Sequence, residues 1–492
     1  MYRKILVALV FPAVVLFFLP GASAAELLVG TAIGDITPKE PVALEGQFRL
    51  RIARTVETPI TVNVIALESH ADGVSQDAAV LVSCDLVFIP SEVLRRVRQA
   101  VHERLPDLDP TRVFLNGTHT HTAPVVTPGK YRLPSQGVMP VEQYQSFLVS
   151  RVAEAVVQAW TGRRVGSFTW GLGQAVVAYN RRAAYADGRA QMYGPTNVAR
   201  FRNLEGYEDH DVNVLFFWTG DKLAGMVVNL SCTSQEVESR SAINADYWDP
   251  VRRALRERYG ESLCIVGQAG AAGDQSPHLM YRKAADERMR ELRGLSRLEE
   301  IARRIVAAVD DAYQVVKNDR HADVPLIHKM ETIQLPMRLV TPKEYEEAKA
   351  AVAQAETLME KDPNTSAQEY RRMKWYEATV NRFERQQTDP KPALEVEVHV
   401  LRLGDVALCT NPFELFTDYG IRIKARSKAV QTVVVQLAGE GSYLPTEKAV
   451  RGGHYSAVVE SNLVGPEGGQ LLVDRTVNII DSLWAKPKQG SP

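Results

Sequence analysis

Apolar and polar positions along this chain follow two periods. Val62 to Leu67 and Ala78 to Cys84 are nearly continuous apolar runs and predict buried strands, while Ser91 to Arg104 and Val141 to Trp160 repeat at helical spacing. Strand-like runs return at Val113 to Leu115, Val212 to Trp218 and Gly225 to Leu230. A helix is predicted over Asp249 to Arg258, and a strand follows at Leu263 to Val266. That order indicates an α/β fold, a mixed β-sheet core flanked by helices. A further helix is predicted from Ser296 through Ala312. Thr341-Pro342-Lys343-Glu344 is a capping box that opens a charged, alanine-rich segment, broken by Asp362-Pro363-Asn364 and resumed to Gln387. This predicts an inserted helical hairpin over 341–387, a solvated excursion from the domain rather than a second core, with a lid as its functional reading. Strands resume at Leu394 to Leu403, Val406 to Cys409 and Val430 to Leu437.

The N-terminus changes the compartment. Arg3 and Lys4 precede the uncharged run Ile5 to Leu19, and Ala22-Ser23-Ala24 supplies the small residues of a cleavage site. Residues 1–24 therefore read as a secretory signal peptide and 25–492 as one exported catalytic domain, secreted or periplasmic. An uncleaved anchor is the alternative, but the run is short for a bilayer that needs about 20 residues.

Composition narrows the function. The chain is 45% hydrophobic and 24% charged, which is globular, and its formal net charge of −1 offers nothing to nucleic acid. Its four cysteines, Cys84, Cys232, Cys264 and Cys409, lie far apart. Two disulfides would suit an exported protein, and buried free thiols would suit the apolar runs around them.

The densest chemistry lies in Leu115-Asn116-Gly117-Thr118-His119-Thr120-His121-Thr122-Ala123-Pro124. Side chains alternate along a strand, so a strand ending in His-x-His would aim both imidazoles the same way and make one corner of a metal site. Two of ten histidines could equally be structural neighbours. Gly273-Asp274-Gln275-Ser276-Pro277-His278 follows a strand with small residues, then offers a carboxylate, a hydroxyl and an imidazole. Asn411-Pro412-Phe413-Glu414-Leu415-Phe416 sets one carboxylate in an apolar stretch, where a metal or a helix start would account for it. Tyr443 and Tyr455 stand on glycine-flanked loops.

In this order, these segments resemble the neutral/alkaline ceramidase family, zinc-dependent amidases that cleave the N-acyl bond of ceramide. The resemblance begins at Val29-Gly30-Thr31-Ala32-Ile33-Gly34-Asp35-Ile36-Thr37-Pro38 and runs through Thr118-His119-Thr120-His121, Asn180-Arg181, Gly273-Asp274-Gln275-Ser276-Pro277, Phe413-Glu414 and the tyrosine loops. It implies zinc ligation by His119, Glu414 and Tyr443. It also implies that His121 donates to the substrate carbonyl, that Tyr455 stabilises the oxyanion, that Arg181 lines the site, and that Ser276 lies near the polar end of the substrate.

The chain departs from that pattern twice. The family's second ligand histidine lies in His-Pro-Thr-Ser, and the matching stretch here is Asn229-Leu230-Ser231-Cys232-Thr233-Ser234-Gln235. A Cys232 thiolate in that place would still suit zinc; a water-completed site and a lost site are the alternatives. The family type also carries a C-terminal immunoglobulin-like domain, and no counterpart is expected after Val477-Asn478-Ile479-Ile480-Asp481. The expectation is an exported zinc hydrolase of a linear amide in an N-acylated, sphingolipid-like substrate, with peripheral membrane contact. A metal-free binding domain on the same fold and a zinc hydrolase of a non-lipid amide or ester stand as alternatives.

Overall fold

The two apolar runs near the N-terminus are continuous because they are covered on both faces. In the computed structural model, which describes residues 26–361 and 366–485, Val62, Val64 and Ala66 pack under helices, whereas Ile65 and Leu67 pack against a second sheet. The signal segment 1–24 and the Asp362-Pro363-Asn364 break lie outside the described residues.

The larger sheet has eight strands: β1 (Glu26–Asp35), β2 (Thr61–Ala71), β3 (Val74–Cys84), β4 (Val113–Gly117), β5 (Arg164–Gln174), β6 (Asp211–Thr219), β7 (Lys222–Leu230) and β8 (Cys264–Ala269). Their order is β8-β7-β6-β5-β1-β2-β3-β4. The centre is antiparallel, and each edge closes with a parallel pair, β3 with β4 and β7 with β8. A parallel pair needs a crossover. Helix α1 (Ser91–His102) supplies one and α3 (Trp248–Tyr259) the other, while α2 (Val141–Thr161) lies beside α1. Helix α1 buries Val93, Val97 and Val101, one residue per turn, each worth about 1.5 kcal/mol or more when fully removed from water.

The second sheet, β9 (Leu326–Pro336), β10 (Ala393–Leu403), β11 (Val406–Thr410) and β12 (Gln431–Val435), runs in that order and ends in a third parallel pair, β11 with β12. Leu401, Leu403, Val406, Leu408, Val433 and Val435 meet the inner face of the large sheet. Helix α4 (Arg297–Val316) covers the outside of the large sheet, and a helix near the C-terminus, Pro466–Leu483, covers the second one. The fold is thus α/β as expected, and no immunoglobulin-like domain is found among the described residues.

Strand β5 was not legible in the sequence because glycines interrupt its pattern. A Cβ on Gly173 would run into the Ala308 carbonyl, so the glycine is what lets α4 lie close to the sheet. All four cysteines are buried free thiols, which removes the two-disulfide alternative.

Helices α5 (Pro342–Lys361) and α6 (Ser366–Gln386) form the expected insertion. It is stacked internally by Tyr345 on Phe383, with centroids 4.3 Å apart. Arg382 moors it to the domain by donating to the Val459 carbonyl (2.8 Å) and the Arg338 carbonyl (2.7 Å).

Candidate active site

The loops that carry the predicted site leave the C-terminal ends of β4, β8, β11 and β12, the three parallel edges where open sheets of this kind place ligands. The histidine pair is not built by strand alternation, because β4 ends at Gly117. His119 instead takes a φ of 66°, a left-handed conformation that costs a non-glycine residue about 1–3 kcal/mol. Backbone hydrogen bonds from Thr118 to Cys84 (3.0 Å) and from His119 to Leu86 (2.8 Å) hold it there. The turn sets the two rings edge to face, 4.7 Å between centroids. Gly46, at φ 98°, makes room, since a Cβ there would collide with the His121 ring.

His119 Nδ1 lies 2.9 Å from the Val87 carbonyl, which only accepts, so Nδ1 carries a proton and Nε2 faces inward. That nitrogen stands 3.4 Å from Glu414 Oε2, a buried oxygen with no hydrogen-bond partner. Burial opposes ionisation of Glu414, but His119, Arg181 and Tyr443 beside it hold its pKa below the ordinary carboxylate value. Glu414 and Tyr443 face each other on a short parallel ladder. The buried Gln436 amide oxygen locks that ladder to the β8 loop by accepting from Leu415 (3.0 Å) and Ala272 (3.1 Å). Arg181 is fully buried beneath; it donates to the Gly273 carbonyl (2.9 Å), the Tyr443 hydroxyl (3.3 Å) and Gln235 Oε1 (3.2 Å).

The Arg181 contact fixes the amide of Gln235. A guanidinium only donates, so the Gln235 oxygen faces it and the nitrogen points at His121 Nε2, 2.9 Å away. His121 Nε2 is then an acceptor and its proton sits on Nδ1, 3.1 Å from Glu238 Oε2. Burial would raise the pKa of Glu238, but the hydrogen bond and charge of His121, with His278 and Arg181, hold it at about 2. Burial keeps the His121 pKa below that of a free imidazole despite Glu238. In this tautomer Nε2 is an acceptor, and it stands 3.2 Å from His119 Nε2.

Five of the expected residues, His119, His121, Glu414, Tyr443 and Tyr455, line one cavity of about 210 Å³. Arg181 supports it from below. Ser276 does not reach it: fully buried on a short ladder with Tyr179, its hydroxyl accepts from the His278 backbone (3.3 Å). Asp274 is likewise structural, accepting from the Thr417 hydroxyl (2.7 Å) and Asn180 Nδ2 (3.0 Å). Cys232 is a clear correction. Its thiol points into the apolar core with Leu230, Tyr247 and Trp248, 3.6 Å from the Val177 and Thr233 carbonyls, and burial pushes its pKa well up. The chain turns after β7 so that Gln235 and Glu238, rather than Cys232, approach the histidines.

Sequence reasoning missed these two and Glu45. Val42-Ala43-Leu44-Glu45 shows the same signal that exposed Glu414, a carboxylate closing an apolar run. Arg51 was also missed; its guanidinium ties together the carbonyls of Glu45 (2.6 Å), His121 (2.7 Å), Glu238 (2.7 Å) and Arg240 (2.7 Å).

The donor set can be tested against a zinc ion on these contacts. His119 Nε2 and Glu414 Oε2 both face inward, 3.4 Å apart, and the Glu414 oxygen has no hydrogen-bond partner. With the Tyr443 phenol they make three mixed nitrogen and oxygen donors, and catalytic zinc uses three protein ligands and an open position. Among the described residues no three of His, Cys, Asp and Glu converge, so the set fits only with Tyr443 included.

No protein-family model and no curated protein matches the chain by sequence. Solved structures do match in shape. Neutral ceramidase from Pseudomonas aeruginosa aligns with a TM-score of 0.67 over 95% of this chain and 76% of that one, at 16% identity. A ceramidase complexed with C2 aligns with a TM-score of 0.66 over 95% and 77%, at 17% identity. The chain therefore has the neutral ceramidase fold, at 16–17% identity to those two proteins.

Proposed function

We propose that this protein is an exported, zinc-dependent amidohydrolase that cleaves the N-acyl bond of a ceramide-type lipid amide. The observation that carries the reading is the facing pair His119 Nε2 and Glu414 Oε2, with Tyr443, at the C-terminal strand ends of a neutral ceramidase fold. The secretory reading of residues 1–24 supports export, and no helix among the described residues is long and apolar enough to cross a membrane.

His119, Glu414 and Tyr443 would hold the metal. When bound, it supplies Lewis-acid polarisation of a carbonyl and activation of water near neutral pH. The residues around it do the rest. His121 accepts a proton at Nε2, and Glu238 stabilises the resulting imidazolium through Nδ1. Tyr455, its pKa raised by burial to about 12, keeps its proton and can donate to the carbonyl oxygen as charge develops. Water adds to the carbonyl carbon, the carbon–nitrogen bond breaks, and the proton held by His121 leaves on the amine.

The size of the cavity favours a second reading at the same site. At about 210 Å³ it falls below the ~300–1,000 Å³ of pockets that enclose a whole ligand, so it holds the scissile group and its near substituents. A smaller, non-lipid amide fits that space as well. The test is incubation of the purified protein with short-chain ceramide and with N-acyl amines of shorter chain, scoring equimolar acid and amine. Release from ceramide supports the lipid reading, release from small amides alone supports the second, and release from neither rejects amide hydrolysis.

A further inference from the structure

The inserted hairpin contributes to the cavity wall. Arg371 and Trp375 of α6 line it beside His119, His121 and Glu414, and Trp375 meets Phe48 edge to face, with centroids 5.4 Å apart. Arg371 lies over the rings of Phe48 (5.3 Å) and Tyr131 (6.0 Å), which fixes the guanidinium plane without neutralising it. Among the described residues no carboxylate stands within ion-pair distance of Arg371, whereas its neighbour Arg372 has Glu369 at 3.9 Å. Arg371 Nε is buried and has no hydrogen-bond partner.

Glu45 is the carboxylate that feels the charge of Arg371, and it is already shared with Lys130. Glu45 is 1% exposed and its Oε1 is taken by Lys130 at 3.0 Å and by the Gly46 backbone at 3.0 Å. Its Oε2 is buried and orphaned. Glu414 belongs to the metal set, and burial pushes Glu460, the remaining carboxyl of the lining, toward its neutral form. The corner of Glu45, Lys130 and Arg371 thus has one cation in excess, and one unused acceptor beside it. Because the cavity is small, anything bound there lies within a few bonds of the scissile amide.

We propose that Arg371 docks an anionic substituent of the substrate, a carboxylate or a phosphate carried close to the amide, while Glu45 Oε2 accepts from a hydroxyl or N–H of the same molecule. This rests on the amidohydrolase reading and shifts its substrate from ceramide, which carries no anion, to an N-acyl amide with an anion beside the scissile bond. A planar fork suits either anion, and its loss is expected to be felt strongly because the site is partly closed to water.

The experiment compares N-lauroylglycine, N-lauroylphosphoethanolamine and neutral N-lauroylethanolamine on the zinc-loaded wild type, Arg371→Met and Arg371→Lys. Binding of the non-cleavable sulfonamide analogue of N-lauroylglycine is measured on the same proteins. The wild type should prefer at least one anionic substrate over the neutral one by about 10-fold or more in kcat/KM, and the preferred member tells carboxylate from phosphate. That ratio should collapse in Arg371→Met and be partly kept in Arg371→Lys. Cleavage with no anionic preference, or a ratio unchanged in Arg371→Met, overturns the subsite and leaves the amidase reading standing. No cleavage of any amide, with analogue binding weakened about 10-fold in Arg371→Met, overturns the reaction and keeps the subsite. Neither cleavage nor Arg371-dependent binding overturns both.

Discussion

His119 Nε2 and Glu414 Oε2 face each other at 3.4 Å, brought together by two loops far apart in the chain. Arg181 stands 4.0 Å from the same oxygen, which has no hydrogen-bond partner and is free to bind a metal. Glu414→Gln keeps the shape and removes the charge, so zinc should fall from about one per chain to near zero while the thermal transition stays cooperative. Metal content by mass spectrometry decides this, and full occupancy in the variant would remove Glu414 from the donor set.

In the proposed reaction Glu238 would act through His121, 3.1 Å away. Glu238→Gln should retain zinc and the fold but lower kcat by about 10- to 100-fold with KM little changed, the range of a lost proton-transfer partner. Glu238→Asp should recover part of the rate. If kcat is unchanged, or if KM alone rises, the carboxylate does not support a base at His121.

Cys232→Ala should leave zinc content unaltered and cost about 1–2 kcal/mol of stability, because the thiol fills apolar core beside Tyr247 and Trp248. Denaturant unfolding gives the cost and metal analysis the content. Loss of metal in this variant would restore Cys232 as a ligand.

The layered architecture was readable because continuous apolar runs such as Val62 to Leu67 and helical spacing such as Val93, Val97 and Val101 each report a buried face directly. Strand β5 was not, because Gly166, Gly171 and Gly173 replace the side chains that would show its period. At the site, His119, His121, Glu414, Tyr443 and Tyr455 could be found from their motifs. Gln235 and Glu238 could not: they enter only because a turn after β7 carries them past Cys232, and a turn direction leaves no mark on residue type. Arg371 was hidden for a related reason, as one arginine among many in a charged helix until packing sets it on Phe48.

A second prediction of stability lies between the sheets. His328 is buried, with Nδ1 3.0 Å from the Ala78 carbonyl and Nε2 2.9 Å from His399 Nδ1. Burial, then the charges of His399, Arg112 and Arg98, lower its pKa to about 3. The unfolded chain therefore binds a proton below about pH 6.5 that the folded chain refuses until about pH 3, and stability is lost as pH falls through that window. The stability cost of His328→Phe, measured by urea unfolding at pH 8, should shrink by up to about 1.4 kcal/mol per pH unit between pH 6.5 and 4.5. A cost independent of pH would mean that His328 is not held neutral.

The central claim is that His119, Glu414 and Tyr443 hold a metal that an amide hydrolysis requires. The most direct measurement is fatty-acid release from a short N-acyl amide by the purified protein as isolated, after chelation, and after zinc is restored. Release that stops on chelation and returns with one equivalent of zinc is the predicted result. Undiminished release from the fully chelated protein would contradict it.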